Sequence, residues 1–184
     1  MRIIAGELRS RKLVFPKSKK TRPMTDRAKE TIFNILGETV VGAKILDLFA
    51  GSGSLGLEAL SRGGRHVTFV EKGVWAQKSL LENLKKLHLE KRSFLFRQNV
   101  FVALKSLLRR RETFSLIFLD PPYNKGLVKK ILNLLDHSGI VTPLTQLIVH
   151  RSRQEKLPET FESLRVIREK QIGQACLSFL SGGK

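Results

Sequence analysis

From residue 44 to residue 149 the sequence repeats one unit, a short and almost wholly apolar run followed by an amphipathic stretch of helix length. The apolar runs fall at 44–49, 66–70, 93–97, 114–119 and 146–149, with amphipathic stretches at 54–61, 74–87, 101–108 and 127–135. A strand with no polar face is buried on both sides, and strands joined through helices by short turns run parallel. The repeat therefore predicts a parallel sheet covered by helices on both faces. The end of the chain breaks the pattern: segments 164–170 and 175–180 meet at Gly173 with no room for a helix, which predicts an antiparallel hairpin closing the sheet. Ahead of Gly42, residues 2–5 and 12–15 read as two short strands. Residues 25–36 read as a helix with Thr25 as N-cap and Ala28, Ile32, Phe33 and Leu36 as one apolar stripe. The expected fold class is α/β, a doubly wound, mostly parallel, seven-stranded Rossmann-like sheet with a C-terminal antiparallel hairpin. Its domain spans 42–184 and follows a small basic N-terminal extension over 1–41. Gly182, Gly183 and Lys184 are expected to fray.

The fourth apolar run ends in Asp120-Pro121-Pro122-Tyr123. Two prolines stop a strand, since neither can donate to the ladder. An acid, a stiff turn and an aromatic ring are thus presented at the carboxyl end of a strand, where open α/β sheets bind ligands. A carboxylate and a fixed carbonyl accept hydrogen bonds from an exocyclic amine while a ring stacks on the attached base. That combination suits a flipped-out, amino-bearing nucleobase. Asp120, Pro121 and Tyr123 are the candidate catalytic residues.

The first run ends in Asp47-Leu48-Phe49-Ala50-Gly51-Ser52-Gly53-Ser54-Leu55-Gly56. Gly51, Gly53 and Gly56 satisfy G-x-G-x-x-G between a strand and a helix, which points to a nucleotide-like ligand approached closely by backbone. Glu71 ends the second run, 20 residues after Gly51, where it can take the two hydroxyls of a ribose. This much also fits NAD. Asp47 speaks against it, because a pyrophosphate would be repelled there, whereas S-adenosylmethionine brings a sulfonium and an α-ammonium. Asn99, after the third run, can accept from an adenine amine and donate to a ring nitrogen, or can cap the following helix. The candidate cofactor-binding residues are Asp47, Phe49, Gly51, Ser52, Gly53, Glu71 and Asn99.

The formal net charge is +18, from 34 Lys and Arg against 16 Asp and Glu. Repulsion of that size is tolerated when the partner is a polyanion, and nucleic acid is the default polyanion. Residues 1–30 alone carry a net +7. In this arm Arg9, Arg11, Lys12, Lys17, Lys19, Lys20 and Arg22 are candidate phosphate contacts, and Lys105 with Arg109, Arg110 and Arg111 forms a second basic cluster or a solvated helix end. The single Cys176 excludes an internal disulfide and points to a reducing compartment. Four histidines and one cysteine offer no metal-ligand spacing. No signal peptide or membrane-length run is present. The expectation is a cytoplasmic monomer without metal or membrane attachment.

Taken together, these residues resemble the class I S-adenosylmethionine-dependent methyltransferases, and within them the RsmD family. The specific part of the resemblance is N-terminal: Arg2-Ile3-Ile4-Ala5-Gly6, Arg11-Lys12-Leu13, Thr21 to Arg27, and Glu30-Thr31-Ile32-Phe33-Asn34. The 47–56 turn, Asp120 to Tyr123, Arg168-Glu169-Lys170 and Gly173 also fit. The resemblance implies transfer of a methyl group from S-adenosylmethionine to N2 of a guanine in small-subunit (16S) ribosomal RNA, free or within an assembling subunit. It assigns Asp47, the glycine turn, Glu71 and Asn99 to the cofactor, and Asp120 and Tyr123 to the guanine. One departure bears on the site: His150 stands in Val149-His150-Arg151, where the family tends to have an acid followed by His.

Three other functions compete. An Asp-Pro-Pro-Tyr group also serves adenine-N6 and cytosine-N4 methylation of DNA, but the chain lacks a separate sequence-reading domain. A non-enzymatic RNA-binding protein on the same scaffold need not keep Asp47, Glu71 and Asp120 together. A nicotinamide dehydrogenase would leave the base-holding motif without a task.

Overall fold

The structure, a computed structural model, describes residues 1–16 and 24–183. Strands β1 (Lys44–Asp47), β2 (His66–Val70), β3 (Ser93–Phe96), β4 (Leu116–Leu119) and β5 (Gln146–Ser152) pair in parallel. Strands β6 (Leu164–Ile172) and β7 (Ala175–Gly182) form the antiparallel hairpin, and β7 pairs with β5. The sheet order is β3-β2-β1-β4-β5-β7-β6. Helices α1 (Asp26–Leu36), α2 (Ser54–Ser61), α3 (Val74–Lys86), α4 (Val100–Arg109) and α5 (Leu127–Asp136) cover the faces, with 3-10 turns at Gly37–Val40 and Glu90–Arg92. The chain winds outward from β1 to β3, then returns to place β4 on the other side of β1. Carboxyl ends of parallel strands at such a reversal diverge and leave a crevice.

Two apolar layers follow from the strand residues alternating between faces. On one side Ile45, Val67, Phe69, Phe118, Ile148 and Phe179 pack against α1, α2 and α3. On the other, Leu46, Val70, Ile117, Leu119, Val149 and Leu180 pack against α4 and α5. Ile3 and Leu13 of the N-terminal segment, together with Met24, are buried in the first layer.

The two short N-terminal strands reduce to a single antiparallel bridge between Arg2 and Lys12. The backbone groups that would extend a ladder are used elsewhere. Ile4 and Ala5 donate to the Glu58 carboxylate, at 2.8 and 3.0 Å, and Val14 donates to Asn83 Oδ1 at 2.7 Å. Lys29, counted above with the basic arm, is not on the surface: its ammonium is buried between α1 and α2. Nor does the C-terminus fray at Gly182 and Gly183. Gly182 ends β7 and donates to the Thr145 carbonyl at 2.8 Å, and a Cβ there would sit 1.9 Å from the Thr142 carbonyl oxygen. Gly183 donates to the Ser163 carbonyl. Lys184 lies outside the described residues. Several element ends move by one to three residues: β1 stops at Asp47, β4 starts at Leu116, α4 starts at Val100, and β5 runs on to Ser152, three residues past its expected end.

Candidate active site

The glycine turn follows β1 directly. Gly51 and Gly53 take left-handed conformations, with φ of 55° and 88°. Only at Gly51 is the space beyond the Cα open, so its backbone can face a ligand. Gly53 and Gly56 are required by packing instead, since a Cβ would meet Leu80 Cδ1 at 2.4 Å and Phe69 Cε1 at 2.2 Å. Glu71, at the end of β2, holds the turn: its carboxylate accepts from Gly51 N–H at 2.8 Å and from Gly73 N–H at 2.6 Å. A carboxylate offers about four acceptor sites, so two remain for hydroxyl groups. Ser52 is buried and its carbonyl accepts from Asn83 Nδ2 at 3.0 Å. Phe49 is half-buried against the α4 and α5 layer.

Asp47 is almost completely buried beneath this turn and accepts from the Gly56 N–H at 3.2 Å and from the Phe49 N–H. Burial pushes its pKa up to about 7, and the charges of Asp120 and Glu71 add to the effect. An acid kept near neutrality by its surroundings ionises readily when a cation arrives. This acid and the open cradle at Gly51 fit a cationic, ribose-bearing cofactor. Asn99 caps α4: its Oδ1 accepts from Phe101 N–H at 2.9 Å. The capping role uses the acceptor oxygen and leaves the amide N–H groups as its free polar function.

Asp120 follows β4, which pairs with β1 so that Phe118 lies opposite Asp47. The Asp120–Tyr123 segment and the glycine turn therefore lie side by side at the same end of neighbouring strands. Asp120 Oδ1 lies 2.8 Å from His150 Nδ1, and the Tyr123 hydroxyl lies 2.9 Å from His150 Nε2 and 3.4 Å from Nδ1. The two rings meet edge to face, with centroids 5.5 Å apart. The Tyr123 phenol is pushed up to about 12 by burial, with the negative charges of Asp120 and Glu155 adding to it, so it stays a hydrogen-bond donor. Stacking alone would tolerate Phe at this position, but the Tyr123 hydroxyl is engaged with His150. Glu155 is a further surprise. Both its carboxylate oxygens are buried and have no hydrogen-bond partner among the described residues.

The arm residues Arg9, Arg11 and Lys12 are exposed, as a phosphate-contacting surface needs. Lys17, Lys19, Lys20 and Arg22 lie outside the described residues. Sequence reasoning missed Asn83, whose side chain ties the Val14 backbone to the Ser52 carbonyl. No local signal could have found it, because Val14 is 69 positions away. His150 had a signal, a titratable residue placed directly after the apolar run Leu147-Ile148-Val149. Among the described residues no helix is long and apolar enough to cross a membrane, and no group of three His, Cys, Asp or Glu could hold a metal ion.

A sequence profile of the family described as conserved hypothetical protein 95 matches residues 1–181. Ribosomal RNA small subunit methyltransferase D of Escherichia coli is 37% identical over 174 residues, which is 95% of this chain and 86% of the relative. This chain belongs to the RsmD family. A second relative, YlbH of Bacillus subtilis, described as a candidate rRNA methyltransferase, is 39% identical over 94% of each chain. The solved structure of the Escherichia coli methyltransferase candidate yhhF superposes with a TM-score of 0.87 at 34% identity, covering 100% of this chain and 98% of that one. More distant folds agree: an RNA methyltransferase of Salinibacter ruber, solved with S-adenosyl-L-homocysteine, gives a TM-score of 0.66 at 13% identity over 88% of this chain and 93% of that one. The RsmD family thus has the fold of S-adenosylmethionine-dependent methyltransferases, with the antiparallel hairpin expected from the sequence.

Proposed function

We propose that the chain transfers a methyl group from S-adenosylmethionine to the N2 amine of a guanine in small-subunit (16S) ribosomal RNA. The observation that carries this reading is that adjacency. Asp47 and the glycine turn end one strand, and Asp120, Pro121 and Tyr123 follow its parallel neighbour. The names of the relatives support RNA as the acceptor class, and the charge of +18 supports a polyanion.

The cofactor supplies an already activated methyl on a sulfonium, so the chain's contribution is placement and charge. Asp47 and the Gly51 turn hold the cationic end, and Glu71 takes the ribose hydroxyls with its spare lone pairs. Asn99 meets the adenine through its amide N–H. On the other side Asp120 and the Pro121 carbonyl accept the two hydrogens of the guanine amine. This draws the nitrogen toward a tetrahedral shape and stabilises the positive charge it gains. Tyr123 stacks on the flipped base. The surplus proton leaves to water, and no strong base is required. Arg9, Arg11 and Lys12, with Lys17, Lys19, Lys20 and Arg22, grip phosphates and set no sequence preference.

The deciding experiment incubates the purified chain with isotopically labelled S-adenosylmethionine and, in separate arms, small ribosomal subunits or their RNA from a strain lacking the gene and duplex DNA, followed by mass spectrometry of the nucleosides. N2-methylguanosine is the expected product. Labelled N6-methyladenine or N4-methylcytosine in duplex DNA instead would retire the guanine assignment.

A further inference from the structure

We propose that His150 is a positioning residue that ties Asp120 and Tyr123 to strand β5 through one imidazole, so that the two groups holding the acceptor base are set before it arrives. The inference deepens the proposed function and rests on it for the identity of the base, though the tie itself does not.

His150 lies on the face of β5 that also carries Ile148, paired with Leu177 of β7 and one residue past the last pair between β5 and β4. Its backbone is held by the antiparallel pairing with β7, and its ring is largely buried, with 11% of the side chain exposed. Asp120, with 28% of its side chain exposed, and Tyr123 sit instead on a connecting segment that begins with two prolines and continues through Asn124, in a left-handed conformation, to Gly126. Connections of this kind are mobile unless something holds them. The imidazole supplies the hold at both ends. A carboxylate only accepts and a phenol kept protonated donates, which sets the tautomer: Nδ1–H donates to Asp120 Oδ1 at 2.8 Å and Nε2 accepts from the Tyr123 hydroxyl at 2.9 Å.

The consequence for the reaction is geometric. One oxygen of Asp120 is committed to His150, which leaves the other for the acceptor amine and removes the freedom of the carboxylate to turn about its own axis. The ring plane of Tyr123 is fixed in the same way, so base and amine are located by one unit rather than by two independent side chains. Misplacement of reacting groups by about 1 Å can cost on the order of 100-fold in rate. An imidazole is suited to this bridge because it presents a donor and an acceptor on opposite sides of one rigid ring.

Two variants divide the role. His150→Leu removes both bonds, while His150→Asn keeps a donor near the Nδ1 position. His150→Leu should lower kcat by about 10- to 100-fold with the dissociation constant for S-adenosylmethionine unchanged and the melting temperature close to wild type. His150→Asn should recover part of the loss, because the bond to Asp120 is kept. Tyr123→Phe should slow the wild type but have little further effect in the His150→Leu background, since the hydroxyl then has no partner. Equal kcat in the wild type and His150→Leu, or a full Tyr123→Phe effect in both backgrounds, would overturn the proposal. A substrate-independent measurement separates this from an error about guanine: nitrogen NMR of the His150 ring should show Nδ1 protonated and Nε2 bare, with that preference weakened by Asp120→Ala. The opposite tautomer would overturn the tie whatever the base, whereas the expected tautomer with no N2-methylguanosine formed would leave the tie standing and fault only the acceptor assignment.

Discussion

Lys29 on α1 and Glu58 on α2 form an ion pair almost wholly removed from solvent, with Nζ 3.2 Å from Oε2. The pair anchors the start of the chain. Lys29 Nζ also donates to the Arg2 carbonyl at 2.6 Å, and the Glu58 carboxylate accepts from the Ile4 and Ala5 N–H groups and from Arg62 Nε at 2.9 Å. Burial lowers the Lys29 pKa, partly offset by Glu58. Removing one member of such a pair strands the other in a dry site. Glu58→Ala should cost about 3–5 kcal/mol of stability, read by chemical denaturation, and should raise proteolytic cleavage near residues 2–14. A loss below about 1 kcal/mol, the range of an exposed pair, would show that Lys29 finds water or another partner.

Asp47 makes cofactor binding pH-dependent with a defined sign. Its carboxyl titrates near 3.8 when unfolded and is pushed up to about 7 by burial, so the folded protein favours the protonated form. The stability this group contributes is complete below the unfolded value and is lost as pH rises through about 7. A cationic cofactor favours the ionised form, so its affinity should rise as pH increases across that range, with proton release on binding. Calorimetry in buffers of different ionisation enthalpy measures both effects. Asp47→Asn should bind more weakly and show a flat pH profile.

Glu71 should matter to the cofactor twice, directly and through the Gly51 turn that it fastens. Glu71→Ala should weaken S-adenosylmethionine binding by about 1–3 kcal/mol, since charge-assisted bonds are lost. Glu71→Gln should fall between the two, because the amide can keep one accepted bond. Tight NAD binding by the wild type with none of S-adenosylmethionine would refute the cofactor assignment.

Asp120→Ala should abolish methyl transfer and leave cofactor affinity near wild type, because the partner proposed for it is the acceptor amine. Single-turnover assays with saturating cofactor separate the two. Retention of most turnover would show that the amine is held elsewhere.

Neutralising Arg9, Arg11 and Lys12, all exposed, should raise the RNA dissociation constant and flatten its salt dependence by up to about one unit of slope per lost phosphate contact. Cofactor affinity should not change. An unaltered salt slope would place the RNA on another surface.

The order of strands and helices from β1 onward and the parallel sheet were legible in the sequence, because burial on two faces leaves an apolar run; the closing hairpin, whose β6 is mostly exposed, was legible from Gly173 between two strand-like runs. The Asp47–Gly56 turn and the Asp120–Tyr123 segment were legible as places where a strand stops, because glycine and proline mark such turns locally. Tertiary structure decided what depends on residues far apart in the chain. Ile4 and Ala5 look like a strand until Glu58, more than 50 positions on, takes their N–H groups. Lys29 looks like a surface charge until α2 closes over it. His150 looks like the polar end of an apolar run until β5 sets it beside Asp120, 30 positions earlier. Hydrophobic periodicity is a property of neighbours along the chain and can be read there. A hydrogen bond between distant side chains is fixed only when the sheet brings two strand ends together, and that distance is written in the fold.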